Sequence, residues 1–109
     1  MIETTTVKLS PAGMQSATAT VYIKDGSGNT LYTFQYTANS SAEYECALDV
    51  GVTYTFSVVK SSGTNGWMHA YVSKNGAISK IADAKSSCTY TIDGTEDYIK
   101  IEPGSGVPD

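Results

Sequence analysis

Apolar side chains recur at every second residue along most of this chain, and a period of two is the mark of strands with one face buried. The strongest run is Val52, Tyr54, Phe56 and Val58, separated by Thr53, Thr55 and Ser57. Ala42, Tyr44, Cys46 and Leu48 alternate in the same way with Glu43, Glu45 and Ala47, and Ala17, Ala19, Val21 and Ile23 with Thr18, Thr20, Tyr22 and Lys24. Weaker alternation covers 4–10, with Val7 and Leu9 on one face, and also 31–36, 67–72, 77–82, 88–92 and 98–101. The runs are separated by turn formers: Pro11-Ala12-Gly13, Asp25-Gly26-Ser27-Gly28-Asn29, Asp49-Val50-Gly51, Asn75-Gly76 and Asp93-Gly94-Thr95. Asn-Gly between two alternating runs is the best short hairpin signal. Short runs with turns about every 8–12 residues predict an all-β antiparallel β-sandwich of about 7–9 short strands. Only Ala77–Lys85 has any helical spacing, and it is weak.

The length of 109 residues suits a single core. The pattern places a sandwich domain at 1–102 and a Gly/Pro-rich C-terminal tail at 103–109. The seven basic residues are all lysines, scattered against eleven acids for a net charge of −4. Phosphate binding needs clustered Lys and Arg, so no nucleic-acid partner is expected. No apolar stretch reaches the roughly 18–20 residues of a membrane span. Met1-Ile2-Glu3-Thr4-Thr5-Thr6-Val7-Lys8 lacks the basic and apolar regions of a secretory leader. Synthesis in the cytoplasm without general export is the expectation.

Tyr44-Glu45-Cys46-Ala47-Leu48-Asp49-Val50-Gly51-Val52-Thr53-Tyr54-Thr55-Phe56-Ser57-Val58 resembles the central hairpin of immunoglobulin-like and prealbumin-like sandwich modules. Val21-Tyr22-Ile23-Lys24-Asp25-Gly26-Ser27-Gly28-Asn29-Thr30 is similar to their second strand and turn, so the resemblance spans about 17–60. Antibody-type domains place Trp soon after the first Cys, whereas Trp67 lies midway between Cys46 and Cys88, which departs from that topology. Such modules occur in phage virion accessory proteins and in bacterial surface proteins, and the resemblance implies display, spacing or adhesion without chemistry.

Residue types with chemical potential are few. His69 is the only histidine, and no Gly-x-Ser-x-Gly elbow accompanies it. A strand histidine beside Trp67 and Tyr71 is the simpler reading, and no catalytic residue, cofactor or metal site is expected. The Asp25–Asn29 segment lacks the closing acid of a calcium loop and reads as a turn. Glu43 and Glu45 share one strand face and cannot flank a cleft as glycosidase acids do. Lys8 alternates away from Val7 and Leu9 and should point outward, which argues against an isopeptide bond from Lys8 with Asp97 in the set. Cys46 and Cys88 form either one possible disulfide or two buried thiols, and the missing leader favours thiols.

A possible binding surface comprises Trp67, His69, Tyr71 and Tyr22. Aromatic side chains anchor interfaces and stack on sugars. Either Trp67/His69/Tyr71 or Met68/Ala70/Val72 must face the core, and both fit. The expected function is a structural accessory, or decoration, protein on the exterior of a phage or phage-like capsid. Its partners would be other structural proteins such as the capsid protein, contacted by the termini and the 60–66 loop. The alternative is a carbohydrate-binding or adhesion module at a bacterial cell surface, with a surface glycan as partner.

Overall fold

The computed structural model describes residues 2–9, 18–37, 41–60 and 66–104. Nine strands run in chain order: β1 (Ile2–Leu9), β2 (Thr18–Lys24), β3 (Thr30–Thr37), β4 (Ala42–Asp49), β5 (Thr53–Lys60), β6 (Trp67–Lys74), β7 (Ala77–Lys85), β8 (Ser87–Thr91) and β9 (Glu96–Gly104). They form a five-stranded sheet in the order β4-β1-β9-β6-β7 and a four-stranded sheet in the order β3-β2-β5-β8. The fold is an all-β two-sheet sandwich, as the alternation predicts, and is compatible with an immunoglobulin-like one. Every pairing is antiparallel except β1 with β9, which brings the two ends of the described chain side by side as parallel neighbours.

The inward side chains follow the period of two. Val7 and Leu9 of β1, Cys46 and Leu48 of β4, Met68 and Val72 of β6, and Ile99 and Ile101 of β9 meet Val21 and Ile23 of β2 and Tyr54, Phe56 and Val58 of β5. Fully burying aliphatic and aromatic groups of this size contributes on the order of 1.5–3 kcal/mol each, which is the main force closing the two sheets. One margin is sealed by β3 lying over β4. Phe34 stacks on Tyr44 with centroids 4.1 Å apart, and the Ala47 amide donates to the Tyr32 hydroxyl at 2.8 Å. The Asp49 amide donates to the buried Tyr54 hydroxyl at 2.7 Å, so the deepest phenol of β5 is not left unsatisfied.

The turns obey their residues. Asn75 and Gly76 take φ values of 51° and 81°, the left-handed pair that a tight twisted hairpin requires. The Asp25 carboxylate accepts from the amides of Ser27 and Asn29, both at 2.9 Å. Those bonds hold its pKa below the ordinary range and make the segment a self-satisfied turn.

One expectation is extended and one needs correction. The strand expected at 77–82 runs as β7 over Ala77–Lys85. Its pairing with β6 shifts register twice, between Met68 and Ala70 and between Ala70 and Tyr71. Ile81 and Ala82 therefore both turn towards the core, which breaks the strict period of two. The sandwich also runs past 102, because β9 carries Pro103 and Gly104 opposite Met68 and Trp67. The rest of the 103–109 tail, and most of the 60–66 loop, lie outside the described residues.

Candidate functional site

Strand β6 decides where the aromatic residues go. Met68, Ala70 and Val72 are buried against the opposite sheet, so Trp67, His69 and Tyr71 project from the outer face of the five-stranded sheet, each half-buried. The Trp67 and His69 rings meet edge-on with centroids 5.1 Å apart. Trp67 Nε1 is buried and has no hydrogen-bond partner among the described residues. His69 Nδ1 lies 3.3 Å from the Ala84 amide and 3.1 Å from Asp83 Oδ1. A neutral ring accepts from the amide, and a protonated ring donates to the carboxylate.

Neighbouring strands enlarge this face beyond the residues expected from the sequence. Register places Glu43, Lys8, Lys100, Tyr71 and Lys80 in one row across β4, β1, β9, β6 and β7. The adjacent row is Glu45, Thr6, Tyr98, Ser73 and Ile78. Lys8 points outward, as its alternation predicts, and its ammonium sits 4.1 Å above the Tyr98 ring centroid. Lys80 and Lys100 approach the Tyr71 ring at 5.7 and 6.0 Å. Lys100 also pairs with Glu102 at 3.1 Å. Ile78 is 61% exposed, the most open large aliphatic side chain described. Tyr98, Lys80, Lys100 and Ile78 were not legible as members of one surface, because strands far apart in sequence carry them.

Tyr22 does not join this set. It lies on β2, on the outer face of the four-stranded sheet and so on the opposite side of the sandwich. Its neighbours across the strands are Thr33 and Ser57. That face is a field of hydroxyls: Thr20 on β2, Thr33 on β3, Thr53, Thr55 and Ser57 on β5, and Ser87, Thr89 and Thr91 on β8. The Thr53 and Thr91 hydroxyls bond each other at 2.6 Å. Lys24 adds one cation, 5.9 Å from the Tyr22 ring centroid. Among the described residues no carboxylate projects from this face, although the chain has eleven acids.

Cys46 and Cys88 are free thiols. The bridge considered from the sequence is not formed, for a topological reason. Cys46 sits on β4, beneath β3 at one margin, while β8 with Cys88 is three strands from β3 at the other margin. Three strand spacings are about 14 Å, well beyond the reach of a disulfide. Burial pushes both thiols up to about 11, so neither is an activated nucleophile.

The shortest ion pair among the described residues is elsewhere, at the loop before β9. Lys74 Nζ meets Asp93 Oδ2 at 2.5 Å, which holds the Asp93 carboxyl well below the usual carboxylate range and raises the ammonium. Both groups are thereby kept charged. Asp97, the other acid weighed for isopeptide chemistry, accepts from the Ser73 hydroxyl at 3.1 Å and the Gly76 amide at 2.9 Å, and so braces the β6–β7 hairpin.

No protein-family model matches this chain, and no curated protein matches it by sequence. The described residues form no pocket and gather no cluster of three or more metal-binding side chains. None of their helices is long and apolar enough to cross a membrane. What they present is two broad flat faces of different chemistry.

Proposed function

We propose that this protein is a non-enzymatic structural component of a larger assembly, an accessory protein on the exterior of a phage-like capsid that docks by its sheet faces. The observation that carries this reading is the charge asymmetry of the sandwich. In a chain with net charge −4, the outer face of the four-stranded sheet bears hydroxyls, Tyr22, the exposed Leu31 and Gln35, and one lysine, with no described carboxylate. Depletion of charge around an aromatic anchor is the composition of an interface centre. The hydroxyls donate and accept, so they suit a polar protein surface without the desolvation cost of burying ions. We assign the capsid protein to this face.

Co-sedimentation with purified particles tests the assignment. Tyr22→Ala paired with Thr55→Glu, which places a carboxylate in the hydroxyl field, should weaken particle binding tenfold or more while leaving the far-ultraviolet circular dichroism unchanged. Undiminished binding contradicts it.

A second reading has its own supporting observation. Trp67 and Tyr71 point outward from one strand face with His69 between them, a row of rings of the kind an adhesion module uses to stack on a surface glycan. Under that reading soluble glycans quench or shift Trp67 fluorescence, and Trp67→Ala abolishes retention on the glycan.

A further inference from the structure

The outer face of the five-stranded sheet has a charge order that matches its own reverse. Read across the strands, its central row runs Glu43, Lys8, Lys100, Tyr71, Lys80, with acid at one margin and base at the other. β9 is the middle strand of the five. A two-fold axis lying in the face, parallel to the strands and above β9, reverses the row. Glu43 then meets the partner's Lys80, and Lys8 meets the ring of the partner's Tyr71. Tyr98, next to the axis, meets the partner's Tyr98. Lys100 approaches its own counterpart, but each copy brings Glu102 at 3.1 Å to neutralise it.

We propose that this face binds a second copy of the chain, giving an isologous dimer. The inference rests on the reading of the sheet faces as docking surfaces and names the occupant of the one not assigned to the shell. Three features favour a copy over an unrelated partner. A two-fold contact requires one patch to be complementary to itself, and the row satisfies that requirement with unlike groups at both margins. Lys8 and Lys100 are register partners, and each is already engaged within the chain, Lys8 over the Tyr98 ring and Lys100 with Glu102, so the centre of the face does not call for an acidic partner. The half-buried Trp67, Tyr71 and Tyr98, with the open Ile78, supply the aromatic and aliphatic area that interface centres use.

Size sets the expected strength. Five strands about 4.8 Å apart and roughly eight residues long, at about 3.3 Å each, give a face on the order of 600 Å². That lies below the roughly 800 Å² per partner of standard stable interfaces, so a dissociation constant in the micromolar range is expected. The dimer leaves both four-stranded faces pointing away from each other and free to dock.

Sedimentation velocity of the full chain over a concentration series tests the proposal. The chain should pass from monomer to dimer in the micromolar range, with the midpoint moving to higher concentration in strong salt. Glu43→Lys and Lys80→Glu should each weaken the dimer tenfold or more, and the double variant Glu43→Lys/Lys80→Glu should restore it to within a few-fold. Tyr22→Ala, on the opposite face, should leave it unchanged. A chain that stays monomeric to millimolar concentration overturns the proposal, as does a dimer indifferent to Glu43→Lys or broken by Tyr22→Ala. Particle co-sedimentation is read separately. A monomer that still binds particles removes the dimer and leaves the proposed function, whereas a dimer that binds none does the reverse.

Discussion

At Tyr90 three neighbours act on one phenol. Burial disfavours its ionised form, the phenol donates a hydrogen bond to the Glu96 carboxylate at 2.6 Å, and the Lys74 ammonium 5.5 Å from its ring centroid works the other way. The first two win, and the phenol is pushed up from 10.0 to about 12. Folding therefore favours the protonated phenol. Its contribution is complete below pH 10.0 and is lost as pH rises towards about 12. Urea unfolding of the protein and of Tyr90→Phe should show the native chain more stable at about pH 9, with the gap narrowing by about pH 11. A gap that stays constant across that range would contradict the assignment. The network could not be read from the sequence, because Lys74, Tyr90 and Glu96 come from β6, β8 and β9 and only the fold brings them together.

Among the elements, β7 departs furthest from what alternation predicts. As the outermost strand of its sheet it exposes an unpaired ladder edge, the usual template for unwanted pairing. Its two register shifts twist that edge, and they leave Ala84 at a φ of 54°, where a Cβ is unfavourable. Ala84→Gly should therefore stabilise the fold by about 0.5–1 kcal/mol, read as a rise in the urea midpoint. A fall in the midpoint would mean that the bend is not strained. β4 and β5 were legible because one face of each is plainly apolar and the other plainly polar. β6 was not, since Trp67/His69/Tyr71 and Met68/Ala70/Val72 could each fill a core. What separates the two sets is tertiary: the neighbours on β9 and β7 set which face of β6 meets the opposite sheet, and that face carries Met68, Ala70 and Val72. Tyr22 shows the same limit from another side. Alternation told which side of β2 it occupies, but not that β2 lies in a different sheet from β6.

For the molecule as a whole, what matters is that two layers turn their aromatic and polar residues in opposite directions. The parallel pairing of β1 with β9 closes the five-stranded sheet and carries Lys8, Tyr98 and Lys100 to the row that β6 and β7 complete. Without that closure the outward aromatics of β6 would be an isolated pair. The proposed contact with a second copy, and the outward placement of the whole β6 face, depend on Trp67 lying outside the core. The chain has a single tryptophan, so acrylamide quenching of its fluorescence reports that position alone. In dilute solution, below the dimer range, Trp67 is expected to be quenched at a rate between those of free indole and a core residue, with Trp67→Phe leaving the unfolding midpoint nearly unchanged. A blue-shifted emission that acrylamide does not reach, measured on the folded monomer, would place the ring between the sheets and contradict the account.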